Sequence, residues 1–252
     1  MIVDTGSSIT AFPCEECNDC GYPGYHTDNY FMESDSSTFH LQTCDKCSQR
    51  GNCESNNRCT IGMSYQEGSS WSAYESVDMA YVGGPHTAAI LDDHDGEDID
   101  PQTAAHLAFP MTFGCQTSLK GLFKTQMADG IMGMDMEKTS FWNQLHSAGK
   151  IEKEMFAMCY SRQPTPVREG TEAGALTLGG IDERLHTSPV TWAASQNKGG
   201  FFKVQVQAVY LRQGGGEGAV SNDSSAEVEK LEISARDLNK GGVIVDSGTT
   251  DT

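Results

Sequence analysis

Two short segments at opposite ends of the chain repeat one pattern. Residues 2–8 read Ile-Val-Asp-Thr-Gly-Ser-Ser, and residues 244–250 read Ile-Val-Asp-Ser-Gly-Thr-Thr. In each copy two β-branched residues precede an aspartate, and a hydroxyl residue, a glycine and two more hydroxyl residues follow it. β-Branched residues favour strands, and glycine favours a tight turn. The repeat therefore predicts an internal duplication of a strand-to-turn element.

The duplicated turn has the composition of a paired carboxylate site. Each strand would fix its aspartate, Asp4 or Asp246, at the floor of a cleft. Two carboxylates at hydrogen-bond distance cannot both ionise easily, so such a pair shares one proton. The ionised partner can take a proton from a water that attacks a peptide carbonyl, while the protonated partner donates to the carbonyl oxygen. This chemistry requires no metal and no cofactor. The residues predicted to support the two turns are Thr5, Gly6, Ser7, Ser247, Gly248 and Thr249.

The cysteines are concentrated in one segment. The chain has nine, of which seven fall within residues 14–60, at positions 14, 17, 20, 44, 47, 53 and 59. This Cys-rich segment has too few apolar residues to hold itself together, so we predict a cross-linked loop module. The cysteine spacing allows either disulfides formed in an oxidising compartment or a zinc site.

The rest of the chain is predicted to be mainly β. Residues alternate in polarity over 75–81 and 201–211, and residues 109–115 form an apolar run, which predicts three strands. One short helix is predicted near 141–149, capped by Thr139 or Ser140. The acidic run 92–101 predicts a solvated insertion rather than a calcium loop, because its glycine is misplaced for an EF-hand. An Asn-Asp-Ser sequon at 222–224 is a candidate glycosylation site.

Several motifs, in this order along the chain, resemble those of pepsin-like aspartic proteases. Besides the two aspartate turns, residues 65–69 (Tyr-Gln-Glu-Gly-Ser) resemble the flap hairpin, and residues 129–133 (Asp-Gly-Ile-Met-Gly) resemble the segment that threads past the first active-site turn. Residues 174–182 resemble the segment between the two lobes of these enzymes.

The resemblance implies a mainly β, bilobal acid-protease fold. The N-terminal catalytic lobe would be nearly complete at 1–180, and residues 181–252 would hold the interlobe segment and the start of a truncated C-terminal lobe. The implied function is that of an aspartic endopeptidase, with Asp4 and Asp246 as catalytic residues and with Tyr65, Glu67 and Gly68 at the substrate. A catalytically inactive homologue that binds peptides is the alternative; loss of either aspartate would favour it, and neither is lost.

The start of the Cys-rich segment indicates which pepsin-like enzymes the chain resembles most. Its Phe-Pro-Cys-x-x-Cys-x-Asp-Cys-Gly start at 12–21 is similar to that of plasmepsin V-type and nepenthesin-type enzymes. This implies disulfides rather than zinc, and a location in the secretory or endomembrane system. It also implies a Cys115–Cys159 disulfide, which would leave one cysteine of the segment free or paired outside this chain.

Three residues depart from the family pattern. Ala11 stands near the position of a tryptophan that binds the flap tyrosine in pepsin, and Trp71 lies nearby in sequence. Gln66 replaces a cysteine of plasmepsin V-type enzymes. Glu67 replaces a neutral residue at the flap tip, which predicts a preference for basic side chains in substrates.

The two aspartate turns lie so close to the chain ends that we expect a longer protein. A signal peptide before residue 1 and a membrane anchor after residue 252 are left open, and the 252-residue chain alone is expected to be inactive and poorly folded. We expect a monomer whose partners are protein or peptide substrates. The formal net charge of −18 disfavours nucleic acid as a partner.

Overall fold

The computed structural model of the protein describes residues 1–81, 108–161, 174–196, 199–212 and 228–248. Three features predicted from the sequence lie outside these ranges: the acidic insertion at 92–101, the sequon at 222–224 and Thr249. The described residues are mainly β, as predicted. None of their helices is both long and apolar enough to cross a membrane.

Two strands provide the frame of the fold. They are β6 and β7, with twelve and thirteen residues, whereas the other described strands have two to six. In chain order the elements are β1 (Ile2–Asp4), β2 (Ala11–Pro13), β3 (His40–Leu41), β4 (Asn52–Cys53), β5 (Cys59–Ser64), β6 (Ser70–Tyr81), β7 (Ala108–Lys120), β8 (Ile131–Gly133), α1 (Phe141–Ser147), β9 (Phe156–Tyr160), β10 (Gly174–Leu178), β11 (Lys203–Val204), β12 (Tyr210–Arg212), β13 (Val228–Lys230), α2 (Ala235–Leu238) and β14 (Val243–Ile244).

One mixed sheet carries the first aspartate turn. Its strand order is β1–β8–β2–β7–β6–β5–β4, and β3 pairs with β6. Strands β6 and β7 are antiparallel along their whole length, from Ser70 opposite Lys120 to Tyr81 opposite Ala108. They confirm the strands predicted from 75–81 and 109–115. Helix α1 confirms the helix predicted near 141–149, and Ser140 rather than Thr139 stands at its N-terminal cap position.

An apolar core lies against this sheet. Trp71 and Ala73 are two residues apart on β6, so they face the same side, and they are each 2% exposed. They pack with Ile9, Ala11, Cys20, Ile61, Leu119, Phe123 and Ile131. Residues just beyond the first aspartate turn are therefore part of the core, and burial of these side chains stabilises the turn's position.

The described chain divides into two compact units. The first comprises Met1–Val190 and Ser247–Thr252, and the second comprises Thr191–Asp246. The assignment of residues 1–180 and 181–252 to two lobes stays a prediction.

The second unit is built from two short antiparallel pairs. Strand β11 pairs with β14, and β12 pairs with β13. The strand predicted over 201–211 forms only at the two ends of that range. The reason is local: the Asn239 side chain accepts from the Val206 N–H at 2.9 Å and donates to the Val206 carbonyl at 2.8 Å, which satisfies backbone groups that a strand would pair with a neighbour.

All seven cysteines of the Cys-rich segment form disulfides, as predicted in preference to zinc. The pairs are Cys14–Cys115, Cys17–Cys20, Cys44–Cys53 and Cys47–Cys59, and Cys159 is free. The expected Cys115–Cys159 pair is therefore wrong. Strands β2 and β7 are parallel neighbours with Phe12 opposite Cys115, and the Cα atoms of Cys14 and Cys115 are 5.4 Å apart. Cys159 lies in a different sheet, on β9, where its neighbour on β10 is Ala175.

Candidate active site

The first aspartate turn holds Asp4 in a buried, fully oriented position. Asp4 ends β1 and is 3% exposed. Its Oδ1 accepts from the Gly6 N–H at 2.8 Å, and its Oδ2 accepts from the Ser7 hydroxyl. The Met134 N–H donates to the Asp4 carbonyl at 2.7 Å, directly after the parallel pairing of β1 with β8. Donors fixed on both carboxylate oxygens stabilise the ionised form and prevent rotation of the side chain.

The segment predicted to thread past this turn does so. Strand β8 (Ile131–Gly133) lies beside β1, with Gly133 opposite Asp4. A Cβ on Gly133 would lie 2.2 Å from the Ile9 nitrogen, so only glycine fits this contact. The glycine in this sequence motif is thus explained by the close approach of two backbone segments behind the aspartate.

The second aspartate turn binds the first through reciprocal hydrogen bonds. The Thr5 N–H donates to Ser247 Oγ at 3.1 Å, and the Ser247 N–H donates to Thr5 Oγ1 at 3.0 Å. The Ser247 hydroxyl donates to the Val3 carbonyl at 2.6 Å. Residues separated by 242 positions therefore exchange equivalent contacts, as the duplication in the sequence predicts for two like turns.

Gly248 brings the second turn against the Asp4 carboxylate. A Cβ on Gly248 would lie 2.2 Å from Asp4 Oδ1, a distance that no side chain tolerates. The approach therefore requires glycine at this position. Asp246 is the last residue of the second unit; it follows β14 and is exposed.

The predicted flap is the hairpin between β5 and β6. Its turn is closed by the Tyr65 N–H, which donates to the Ser69 carbonyl at 2.9 Å, and by the Gly68 N–H, which donates to the Tyr65 carbonyl at 3.1 Å. Glu67 and Gly68 are exposed at the tip. The hairpin therefore presents the Glu67 carboxylate to solvent.

Tyr65 connects this hairpin to the aspartate turn. Its hydroxyl accepts from the Trp71 indole N–H at 3.2 Å, and its ring centroid lies 5.3 Å from that of Phe123. Burial raises the pKa of Tyr65 to about 12, an effect opposed by hydrogen bonds with Trp71 and Ser7 and increased by the charge of Asp4. Tyr65 thus stays a neutral phenol near Asp4, and Trp71 supplies the indole partner that Ala11 lacks.

Asp135 is a second buried carboxyl group in this region, and none of the sequence motifs pointed to it. Asp135 is 1% exposed and follows the threading segment by two residues. Its N–H donates to the Ser7 carbonyl at 3.0 Å, and its carbonyl accepts from the Trp142 indole at 2.8 Å. Burial raises the pKa of Asp135 to about 6. The available signal was a single acidic residue within the apolar run Ile-Met-Gly-Met-Asp-Met at 131–136.

The Cys-rich segment reaches the same region through an ion pair. Arg50 donates to Glu137 through Nε at 2.9 Å and through Nη2 at 2.5 Å. This bidentate contact holds the pKa of Glu137 below its usual range. The Glu137 N–H in turn donates to Asp135 Oδ1 at 2.8 Å. The disulfide-bonded loop is therefore connected by hydrogen bonds to the segment behind the first aspartate turn.

Known families and proteins show similarity to most of the chain. The family model described as xylanase inhibitor N-terminal matches residues 1–180. Aspartic protease 5 of Toxoplasma gondii is 28% identical over 209 residues, which cover 75% of this chain and 19% of that protein. Plasmepsin V of Plasmodium falciparum is 26% identical over 188 residues, covering 72% and 27%. A probable aspartic protease of Arabidopsis thaliana is 29% identical over 194 residues, covering 73% and 37%. The chain thus spans less than two-fifths of the length of each of these relatives.

Proposed function

We propose that this chain, which belongs to the pepsin-like family of aspartic proteases, forms the catalytic part of an endopeptidase that hydrolyses peptide bonds in proteins. Asp4 and Asp246 are the proposed pair of catalytic carboxylates. Both are present, and each begins an Asp-hydroxyl-Gly turn.

The hydrogen bonds between the two aspartate turns are the strongest support for this proposal. Thr5 and Ser247, each the residue after its aspartate, donate to each other's hydroxyl oxygens. Such an exchange fixes two turns relative to each other at the residue next to the reacting group, which is what a shared proton between two carboxylates requires.

In the proposed mechanism the two carboxylates share one proton and hold a water molecule. The ionised member removes a proton from the water, which attacks the carbonyl carbon of the substrate, and the protonated member donates to the carbonyl oxygen. The two donors on Asp4, the Gly6 N–H and the Ser7 hydroxyl, keep its oxygens oriented during this exchange. Tyr65, Glu67 and Gly68 of the flap are proposed to cover the bound peptide.

The proposed location is the secretory or endomembrane system. Four disulfides, including three within the Cys-rich segment, need an oxidising compartment to form and persist. Protein or peptide substrates in that system are the proposed partners.

The test is proteolysis by the full-length protein. We expect cleavage of a denatured protein substrate between acid and near-neutral pH, inhibition by a statine-type transition-state analogue, and loss of cleavage in Asp4→Asn and Asp246→Ala. A protein that folds but cleaves nothing over this range, or that is insensitive to both substitutions, would contradict the proposal.

A second candidate is a catalytically inactive homologue that binds peptides or inhibits another protein. The observation that favours it is the description of the matching family model, which refers to a xylanase inhibitor. Tight binding of the statine-type analogue without any cleavage would support this candidate, since binding needs the cleft whereas hydrolysis also needs the proton-sharing pair.

A further inference from the structure

Asp135 is a buried carboxyl group that the proposed mechanism does not use. Its backbone is fixed on both sides: its N–H donates to the Ser7 carbonyl at 3.0 Å and its carbonyl accepts from the Trp142 indole at 2.8 Å. Ser7 is also the residue whose hydroxyl donates to Asp4 Oδ2. One residue therefore connects Asp135 and the Asp4 carboxylate.

Three charged groups act on the Asp135 side chain from the elements around it. Glu137 and Asp4 raise the pKa of Asp135 in addition to the effect of burial, and Arg50 on the Cys-rich segment lowers it. The Glu137 N–H donates to Asp135 Oδ1 at 2.8 Å and so favours the ionised form. Ser7 contacts both groups, through its carbonyl to the Asp135 N–H and through its hydroxyl to Asp4, and the charge of Asp4 adds to the raised pKa of Asp135.

We propose that Asp135 is a positioning residue of the catalytic centre, a buried carboxyl in addition to the proposed catalytic pair, that acts through Asp4 and sets the upper pH limit of the peptidase. The inference rests on the proposed function, and it adds a control of pH range to it. Asp135 does not contact the substrate in this role. It acts by its charge on the group that does.

The direction follows from the symmetry of the electrostatic interaction. Since the charge of Asp4 makes ionisation of Asp135 harder, an ionised Asp135 makes loss of the proton shared by the catalytic pair equally harder. Below the pH at which Asp135 ionises, the group is neutral and has no such effect. Asp135 therefore keeps the catalytic pair in its singly protonated, active state up to a higher pH, and leaves the acid side of the pH profile unchanged.

The first test is the pH profile of Asp135→Asn in the full-length enzyme. We expect the alkaline limb of kcat/KM to move down by about 0.5–1 pH unit, which lowers kcat/KM roughly 3- to 10-fold near neutral pH, and the acid limb to stay in place. The control is Asp28→Asn, which removes one exposed carboxylate from the same unit and should leave both limbs unchanged. An Asp135→Asn profile that is unchanged, or lowered equally at every pH, would overturn the inference.

A second measurement does not depend on activity. Carboxyl carbon NMR of the aspartates should show the titration of Asp135 moving to lower pH in Asp4→Asn, because the substitution removes the neighbouring charge. Asp28→Asn should leave it unmoved. No shift in Asp4→Asn would overturn the inference even in an active protease. Absence of proteolysis with the shift present would instead contradict the proposed function and keep the coupling.

Discussion

The indole N–H of Trp71 donates to the hydroxyl of Tyr65 at 3.2 Å, across the base of the flap hairpin. Trp71 is 2% exposed and belongs to the apolar core, so the tyrosine is anchored to the buried core of the first unit. The family pattern places a tryptophan near position 11, and this chain has Ala11 there, fully buried in the same core. Trp71 on β6 therefore supplies the indole donor to Tyr65 that Ala11 on β2 cannot supply.

Loss of this anchor should reduce both activity and stability. We expect Trp71→Phe and Tyr65→Phe each to lower kcat/KM roughly 10-fold, since each removes the hydrogen bond that orients the flap, at a stability cost of about 1–3 kcal/mol. The double variant should be little worse than either single one, because both remove the same interaction. Trp192→Phe, at a position that is 73% exposed, should behave as wild type. Multiplicative losses in the double variant would contradict a shared bond.

The close contact between Gly248 and the Asp4 carboxylate predicts that a side chain at position 248 reduces activity. Gly248→Ala should lower kcat by about 100-fold or more, because its Cβ would need the space within 2.2 Å of Asp4 Oδ1 and the two turns would have to separate. Gly241→Ala is the matched control, since a Cβ there meets no atom within 4 Å. Steady-state kinetics with circular dichroism separates this effect from unfolding. Equal activity of the two variants would show that the turns do not need this approach.

The aspartate turns and the threading segment could be predicted because each is a local pattern with a specific physical need. Gly133 leaves room for a second backbone segment and Gly248 leaves room for the Asp4 carboxylate, and both needs are visible in the sequence as glycines within a motif. Residues 12–21 likewise predict the similarity to plasmepsin V-type enzymes, which the match to plasmepsin V of Plasmodium falciparum confirms.

The pairing of Cys14 with Cys115 could not be predicted in the same way. It depends on the parallel alignment of β2 with β7, a contact between residues about one hundred positions apart. Sequence patterns specify which residues form strands but not which strands become neighbours. The burial of Asp135 could not be predicted for the same reason, because it results from packing against the first aspartate turn and α1.

This long-range disulfide should contribute more stability than the short one nearby. The Cys14–Cys115 pair closes a separation of 101 residues and the Cys17–Cys20 pair a separation of 3. By loop entropy, removing the first with paired alanines should cost roughly 4–5 kcal/mol and removing the second roughly 2 kcal/mol. Urea denaturation of the oxidised proteins measures both, and Cys159→Ser should cost nothing comparable. Peptide mapping that finds Cys115 linked to Cys159 would contradict the structure.

Burial of Asp135 predicts a stability that depends on pH. The pKa of Asp135 is raised to about 6 in the folded protein, above its unfolded value, so the folded state favours the protonated form. Its ionisation costs nothing at about pH 4 and below, and the cost grows to roughly 3 kcal/mol as the pH rises through the folded pKa. Asp135→Asn should therefore gain stability relative to wild type between about pH 4 and about pH 7 in urea denaturation. A constant difference over this range would mean that Asp135 is not held in a buried, proton-favouring site.

Glu67 at the exposed tip of the flap should affect which peptides are cleaved. Its carboxylate would lie over the bound substrate, so kcat/KM for peptides with Lys or Arg under the flap should fall roughly 3- to 10-fold in Glu67→Gln, while neutral peptides change by less than about 2-fold. Because the group is exposed to solvent, the preference should weaken as salt is raised. Glu152→Gln removes an equally exposed carboxylate elsewhere in the first unit and should leave the specificity profile unchanged. A peptide-library profile with no basic preference in the wild-type enzyme, or with the same preference in Glu67→Gln, would mean that the flap carboxylate does not select substrates.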